Sequence, residues 1–241
     1  MTRQHTRLSG WIAALLVATL FAWLGTWQLQ RMREKQALLE QIPRAQQGAV
    51  SVEQALRTPA RVRRVVDRGH FLPGTVMLDN QLRQGRAGVR IYRVFQPAQT
   101  PQAVLLDLGW LPLPGDRSLP ALAPLSGDYE VRGLLAPAPA TGIALGPALV
   151  ATAQPQLWLA TRLDTQAIAA QLGRAAGQLP AQVLRLDPAL PLGYERDLDL
   201  LPNTLPPSRH LGYAVQWYAM ALTVLIIALV LEWRARRRNG R

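Results

Sequence analysis

Two long uncharged runs frame the chain. Between Arg7 and Arg31 stand 23 residues, LSGWIAALLVATLFAWLGTWQLQ, and between His210 and Glu232 stand 21, LGYAVQWYAMALTVLIIALVL. As helices rising 1.5 Å per residue, the first reaches roughly 34 Å and the second about the thickness of a bilayer's hydrocarbon core. Aromatic residues mark the ends of both runs: Trp11 and Trp27 for the first, and Tyr213, Trp217, Tyr218 and Trp233 for the second. Interfacial belts have that placement and buried soluble helices do not need it. The pattern predicts transmembrane helices over 8–30 and 210–231, short tails over 1–7 and 232–241, and one domain over 31–209. The first run is too long for a signal-peptide core and no A-x-A-like site follows it; with seven residues ahead of it, no mitochondrial presequence is expected, which points to a bacterial chain.

Between the spans the period changes. RMREKQALLEQI continues the first helix until Pro43, and Ser51 with Gln54 resembles a capping box that opens a short helix, SVEQALRT. From residue 61, RVRRVV, HFLPGTVMLDNQL, GVRIYRVFQ and AVLLDLGWL are short runs rich in branched and aromatic residues, separated by Gly, Pro and polar turns, as strands are. Pro112 to Pro147 reads as loop around one strand, YEVRGLL. WLATRL and QVLRLD follow as strands, with Asp164 capping a helix, TQAIAAQLGRAA, between them. The expected fold is an α+β membrane protein, its two terminal helices flanking an extracytoplasmic domain built on a mainly antiparallel sheet or an open barrel.

Charge orients this layout. The tail carries Arg234, Arg236, Arg237, Arg238 and Arg241, which favours a cytoplasmic C-terminus, and two spans then put the N-terminus on the same side. Arg31, Arg33 and Lys35 pull the other way, but long segments translocate largely regardless of charge. The expectation is an inner-membrane protein with both termini cytoplasmic, a periplasmic central domain and membrane lipid as a partner. Setting aside the 2 arginines of the N-terminal tail and the 5 of the C-terminal one leaves 20 basic residues, against 14 acidic once Glu232 is set aside. That remainder is scattered, and a domain outside the cytoplasm meets no nucleic acid, so none is expected.

The motifs of nucleotide binding, zinc proteolysis and serine hydrolysis are missing. With 0 cysteines and 3 histidines, disulfides, thiolate sites and multidentate transition-metal sites are excluded or hard to build. Glu195, Asp197 and Asp199, two residues apart, read as a solvated edge and not as a catalytic pair, so no enzyme is expected. His70 reads as a half-exposed strand residue and His5 as part of the tail. His210, at the mouth of the second span with Tyr213 and Trp217 at helical spacing, has two readings: an interfacial anchor, or a ligand to a bound ring system such as haem. Gln28 and Arg31 share a side of the first helix, which Lys35 continues. They form either a snorkelling belt or, with Arg209, a set of donors for haem propionates or a partner's carboxylates.

Gly25, Trp27, Gln28, Arg31 and Lys35, as G-x-W-Q-x-x-R-x-x-x-K, and His210, Tyr213, Ala214, Gln216, Trp217 and Tyr218, as H-x-x-Y-A-x-Q-W-Y, resemble the Surfeit-locus protein one family of cytochrome c oxidase assembly factors. GHFLPGTVMLDNQ, Gly85-x-x-Gly88 and LGWLP match it loosely. The chain departs from that family at Asp107 and Leu108, where Asn-Arg is common, at Ser208 and Arg209, where Asn-Asn is, and at Tyr218, usually Phe. The resemblance implies assistance in delivering haem a to subunit I of the oxidase or in stabilising that subunit, with haem A synthase as a further partner. It implies His210 as an axial ligand of haem a and as the chain's metal-binding residue, with Tyr213 and Trp217 against the macrocycle and Arg209 or Arg31 near the propionates. Gly25, Trp27, Gln28, Arg31 and Gln216 are the corresponding partner-binding candidates. Two other classes remain: a cofactor-free scaffold that docks oxidase subunits, and a two-span sensor, for which tails of about 7 and 10 residues leave no room for an output module.

Overall fold

The computed structural model describes residues 3–45, 48–58, 62–139, 146–175, 177–201 and 204–239. In chain order the elements are α1 (Arg3–Leu39), α2 (Gln41–Ala45), α3 (Val52–Leu56), β1 (Arg63–Arg83), β2 (Arg86–Pro97), β3 (Val104–Pro112), β4 (Asp128–Pro137), β5 (Leu149–Ala151), β6 (Leu157–Ala160), α4 (Thr165–Gln171), β7 (Gln182–Leu186) and α5 (Pro207–Asn239). They form two units, Met1–Ala37 with Thr204–Arg241, and Leu38–Asn203.

The first unit is the pair α1 and α5. Both are long and apolar enough to cross a membrane, and both run beyond the uncharged segments into the flanking basic residues. Pro43 does not stop the first helix as expected: the break falls at Glu40, and Pro43 sits in the first turn of α2, where its missing N–H removes no helical hydrogen bond.

The second unit is a mixed seven-stranded sheet in the order β2-β3-β7-β4-β1-β6-β5, with a further pairing of β2 to β1. Of the two forms expected, a mainly antiparallel sheet or an open barrel, it is not the barrel, and two pairings, β3 with β7 and β1 with β6, are parallel. The remaining pairings are antiparallel. The parallel pairs arise because the α4 segment crosses over before β7 and because β6 returns beside the second half of β1. RVRRVV and HFLPGTVMLDNQL, expected as separate strands, fuse into the 21 residues of β1. Its first half pairs with β4 and its second half with β2 and β6. Pro73 is tolerated inside it because the β2 register shifts between Phe71 and Thr75, and Gly74 takes φ +103°, a backbone open to glycine. WLATRL contributes only its first residues to β6, and β5 follows just after the stretch expected to be loop, at residues for which no strand was expected. Part of that stretch, residues 140–145, lies outside the described residues, as does residue 176 at the end of the expected helix TQAIAAQLGRAA.

Both helix caps form as read: Ser51 Oγ accepts from the Gln54 amide, and Asp164 accepts from those of Gln166 and Ala167. α3 and α4 pack on opposite faces of the sheet. Ile91, Phe95, Val104, Leu106 and Leu184 join Val52 and Ala55 of α3, while Tyr92, Val94, Leu105 and Val183 join Ile168 and Ala169 of α4. Alternate residues of each strand serve alternate faces, and with both faces covered β3 is buried almost throughout, hence its apolar sequence, interrupted by the buried Asp107.

Candidate functional site

On α1 the buried and half-buried positions include 11, 14, 18, 21, 25, 28, 32 and 35; on α5 they include 207, 210, 214, 217, 221, 224 and 228. Steps of three and four residues are the spacing of a coiled-coil seam, so one stripe of each helix faces the other. The contacts run antiparallel. Trp11 bonds Glu232, Phe21 lies 5.5 Å from Trp217 between ring centroids, and the Lys35 ammonium donates to the Leu205 carbonyl at 2.5 Å. Gly25 belongs to the seam for a steric reason: a Cβ there would stand 3.0 to 3.1 Å from three ring carbons of Tyr218.

At the end of this pair where α5 begins, His210 is 8% exposed, and its Nδ1 lies 2.7 Å from Gln28 Oε1. Its Nε2 is buried without a hydrogen-bond partner. Burial and then the Arg31 charge hold the Lys35 ammonium below its ordinary pKa. The seam thus gathers Gly25, Gln28, Lys35, His210, Ala214 and Trp217. The other residues singled out from the sequence lie off it: Trp27, Arg31, Arg209, Tyr213 and Gln216 are exposed. Arg31 pairs with Glu34 at 3.1 Å and sits 6.0 Å over the Trp27 ring. Tyr218 shares a 2.9 Å hydrogen bond with Thr26 Oγ1. Phe21 was not singled out from the sequence, although its spacing from Gly25 and Gln28 in a 3.5-residue repeat carried the signal; Thr26 is exposed and off that repeat, and only the structure shows its bond to Tyr218.

At the other end, Arg7, Leu8, Trp11, Leu229, Glu232, Trp233 and Arg236 line a groove of about 550 Å³. Arg236 bonds Glu232 at 2.8 Å and holds that carboxyl below its usual pKa.

The sheet domain has a buried polar cluster of its own. Register sets Tyr92 beside Asp107 and Asp107 beside Arg185 across β2, β3 and β7. Arg90 donates to Asp107 Oδ2 at 2.7 Å, and Asp107 Oδ1 accepts from the Gly109 amide at 3.0 Å. Arg185 donates to the Asp199 carbonyl, and burial drives the Tyr92 hydroxyl well above its ordinary pKa. Glu195 and Asp197 both pair with Arg83, so the acidic run is an ion-paired edge. His70 is exposed on β1. Among the described residues no group of three or more His, Asp or Glu side chains gathers to hold a metal ion.

Fold and site together define a class: a sheet domain carried in the chain between two long apolar helices, which pair through a seam containing one buried histidine. The family model described as the SURF1 family matches residues 15–222, a stretch that includes both helical motifs and the whole sheet. The chain belongs to the SURF1 family, a family of assembly factors associated with cytochrome oxidase assembly and not a family of enzymes. No curated protein matches the chain.

Proposed function

We propose that this protein handles haem a during assembly of a haem-copper oxidase, either delivering it to subunit I or stabilising that subunit as haem enters. The observation that carries the reading is His210: a buried imidazole with one nitrogen hydrogen-bonded and the other bare would suit a ligand to the haem iron, since metal-bound histidines characteristically use their second nitrogen for such a bond. When bound, the haem would supply its iron to Nε2 and two carboxylates to nearby cations. Trp217, half-buried on the seam one turn beyond Tyr213, gives a flat apolar wall for a macrocycle, and Arg209 and Arg31 are exposed cations able to meet propionates by bidentate pairing. Subunit I and haem A synthase are the partners this role requires, and exposed Trp27, Arg31 and Gln216 are the side chains on offer to them. Gly25 and Gln28, turned to α5, serve the helix pair instead.

The two apolar helices are compatible with anchoring in a membrane. In this reading they cross the bacterial inner membrane with 31–209 in the periplasm, and the groove rimmed by Arg7 and Arg236 lies at the cytoplasmic surface against lipid headgroups. The deciding experiment is an absorbance spectrum of the detergent-purified protein after coexpression with haem A synthesis enzymes, for wild type and His210→Ala. A haem a spectrum lost in the variant is the expected result. Full haem occupancy in the variant removes the ligand assignment, and a colourless wild type turns the reading to a cofactor-free scaffold.

A further inference from the structure

The seam says more about His210 than that it is buried. Its Nδ1 faces the side-chain carbonyl oxygen of Gln28 at 2.7 Å, and a carboxamide oxygen only accepts. With the Gln28 carboxamide in this orientation, a hydrogen bond to its oxygen needs the proton on Nδ1, and in the neutral ring Nε2 then carries a lone pair and no hydrogen. That nitrogen is the buried atom left without a partner. A lone pair shut away from water and unpaired is costly, and an imidazole free to choose would turn its bare nitrogen toward a donor. Gln28 prevents that choice. It comes from the other helix, 182 positions away in sequence, and the seam spacing that brings Gly25 against Tyr218 fixes its height.

We infer that Gln28 is the positioning residue of the site: it locks His210 in the Nδ1–H tautomer and presents a bare Nε2 as a ready ligand for a Lewis-acidic metal centre. In its iron-binding half this rests on the haem reading above; in its tautomer half it does not. A hydrogen bond from Nδ1–H also makes the imidazole a stronger donor to a metal, and a carboxylate in place of the amide strengthens it further.

The test uses the full-length protein in detergent with 15N-labelled histidine, in which His5, His70 and His210 are the 3 imidazoles and the His210 signals are assigned by their loss in His210→Gln. Two-bond nitrogen–proton correlations then report which nitrogen holds the proton, with no cofactor bound. The expected result is a dominant Nδ1–H form in wild type and in Gln28→Glu, and in Gln28→Leu a shift of the ratio toward Nε2–H by roughly five-fold or more, the worth of one hydrogen bond. A dominant Nε2–H form in wild type, or a Gln28→Leu ratio unchanged from wild type, overturns the inference. The haem-loaded proteins give a second readout: the midpoint potential falls in Gln28→Glu and rises in Gln28→Leu relative to wild type, and equal potentials in all three overturn the metal-presenting half. A wild type that never loads haem sinks the haem reading and leaves the tautomer measurement to stand or fall by itself.

Discussion

Asp107 occupies the middle of a strand buried on both faces, where an isolated carboxylate would cost several kcal/mol. It is held there by Arg90 on one oxygen and by the Gly109 amide on the other, both groups almost wholly buried. Asp107→Ala therefore leaves the Arg90 charge unpaired and is expected to lower the unfolding free energy by about 3–5 kcal/mol. The double variant Arg90→Leu with Asp107→Leu is expected to recover most of that loss, both read by chemical denaturation of the purified chain through the sheet's circular dichroism. Asp197 gives a pH prediction. Burial works to raise its pKa, but the Arg83 hydrogen bond and the Asp199 amide outweigh it, and the net shift is downward. A carboxyl depressed on folding contributes stability above its unfolded value, near 4, and loses it as pH falls through the lower folded value. The melting-temperature gap between wild type and Asp197→Asn is thus expected near neutral pH and to close in strong acid. The residue-level reading of the sequence named Asp107 as a departure from the family pattern but had no means of finding Arg90, since two residues 17 apart meet only through the β2–β3 register.

At the scale of elements, the helices were legible because a membrane-length apolar run depends on composition alone. Their mutual seam was harder to read: in runs this uniformly apolar, the facing stripe is set by small residues and by packing, and hydrophobic contrast barely marks it. Gly25 is the clearest instance. Gly25→Leu drives a branched side chain into the Tyr218 ring and is expected to separate the helices locally, breaking the Gln28–His210 hydrogen bond. The check is crosslinking of two cysteine pairs, at Trp11 with Glu232 and at Phe21 with Trp217, each measured with and without Gly25→Leu: the mutation is expected to lower crosslinking at the second pair while the distant first pair persists. Among the strands, period and turn residues found most segments, yet RVRRVV and HFLPGTVMLDNQL looked separate because Asp67, Arg68 and Gly69 between them resemble a turn, and only pairing with β4 carries the strand across them to the Pro73-Gly74 bulge. Proline punctuates local structure, and only the shifted register with β2 decides whether the chain stops or bends.

For the whole molecule, the proposed orientation rests on the arginine-rich tail. Alkaline phosphatase fused after residue 241 is expected to be inactive and the same enzyme inserted in the loop 113–127 active, and activity at the C-terminus would reverse the proposed topology. Sequence by itself determined the two apolar helices, the intervening α+β segment, both helix caps and the family, because each depends on composition or on residues a few positions apart. Tertiary structure alone decided the mixed strand order, the merging of β1, the buried Arg90–Asp107 pair, and the meeting of Gln28 with His210. Those depend on which distant segments come together, and pairings across long loops are chosen by the packing of the whole core and by no local preference of the chain.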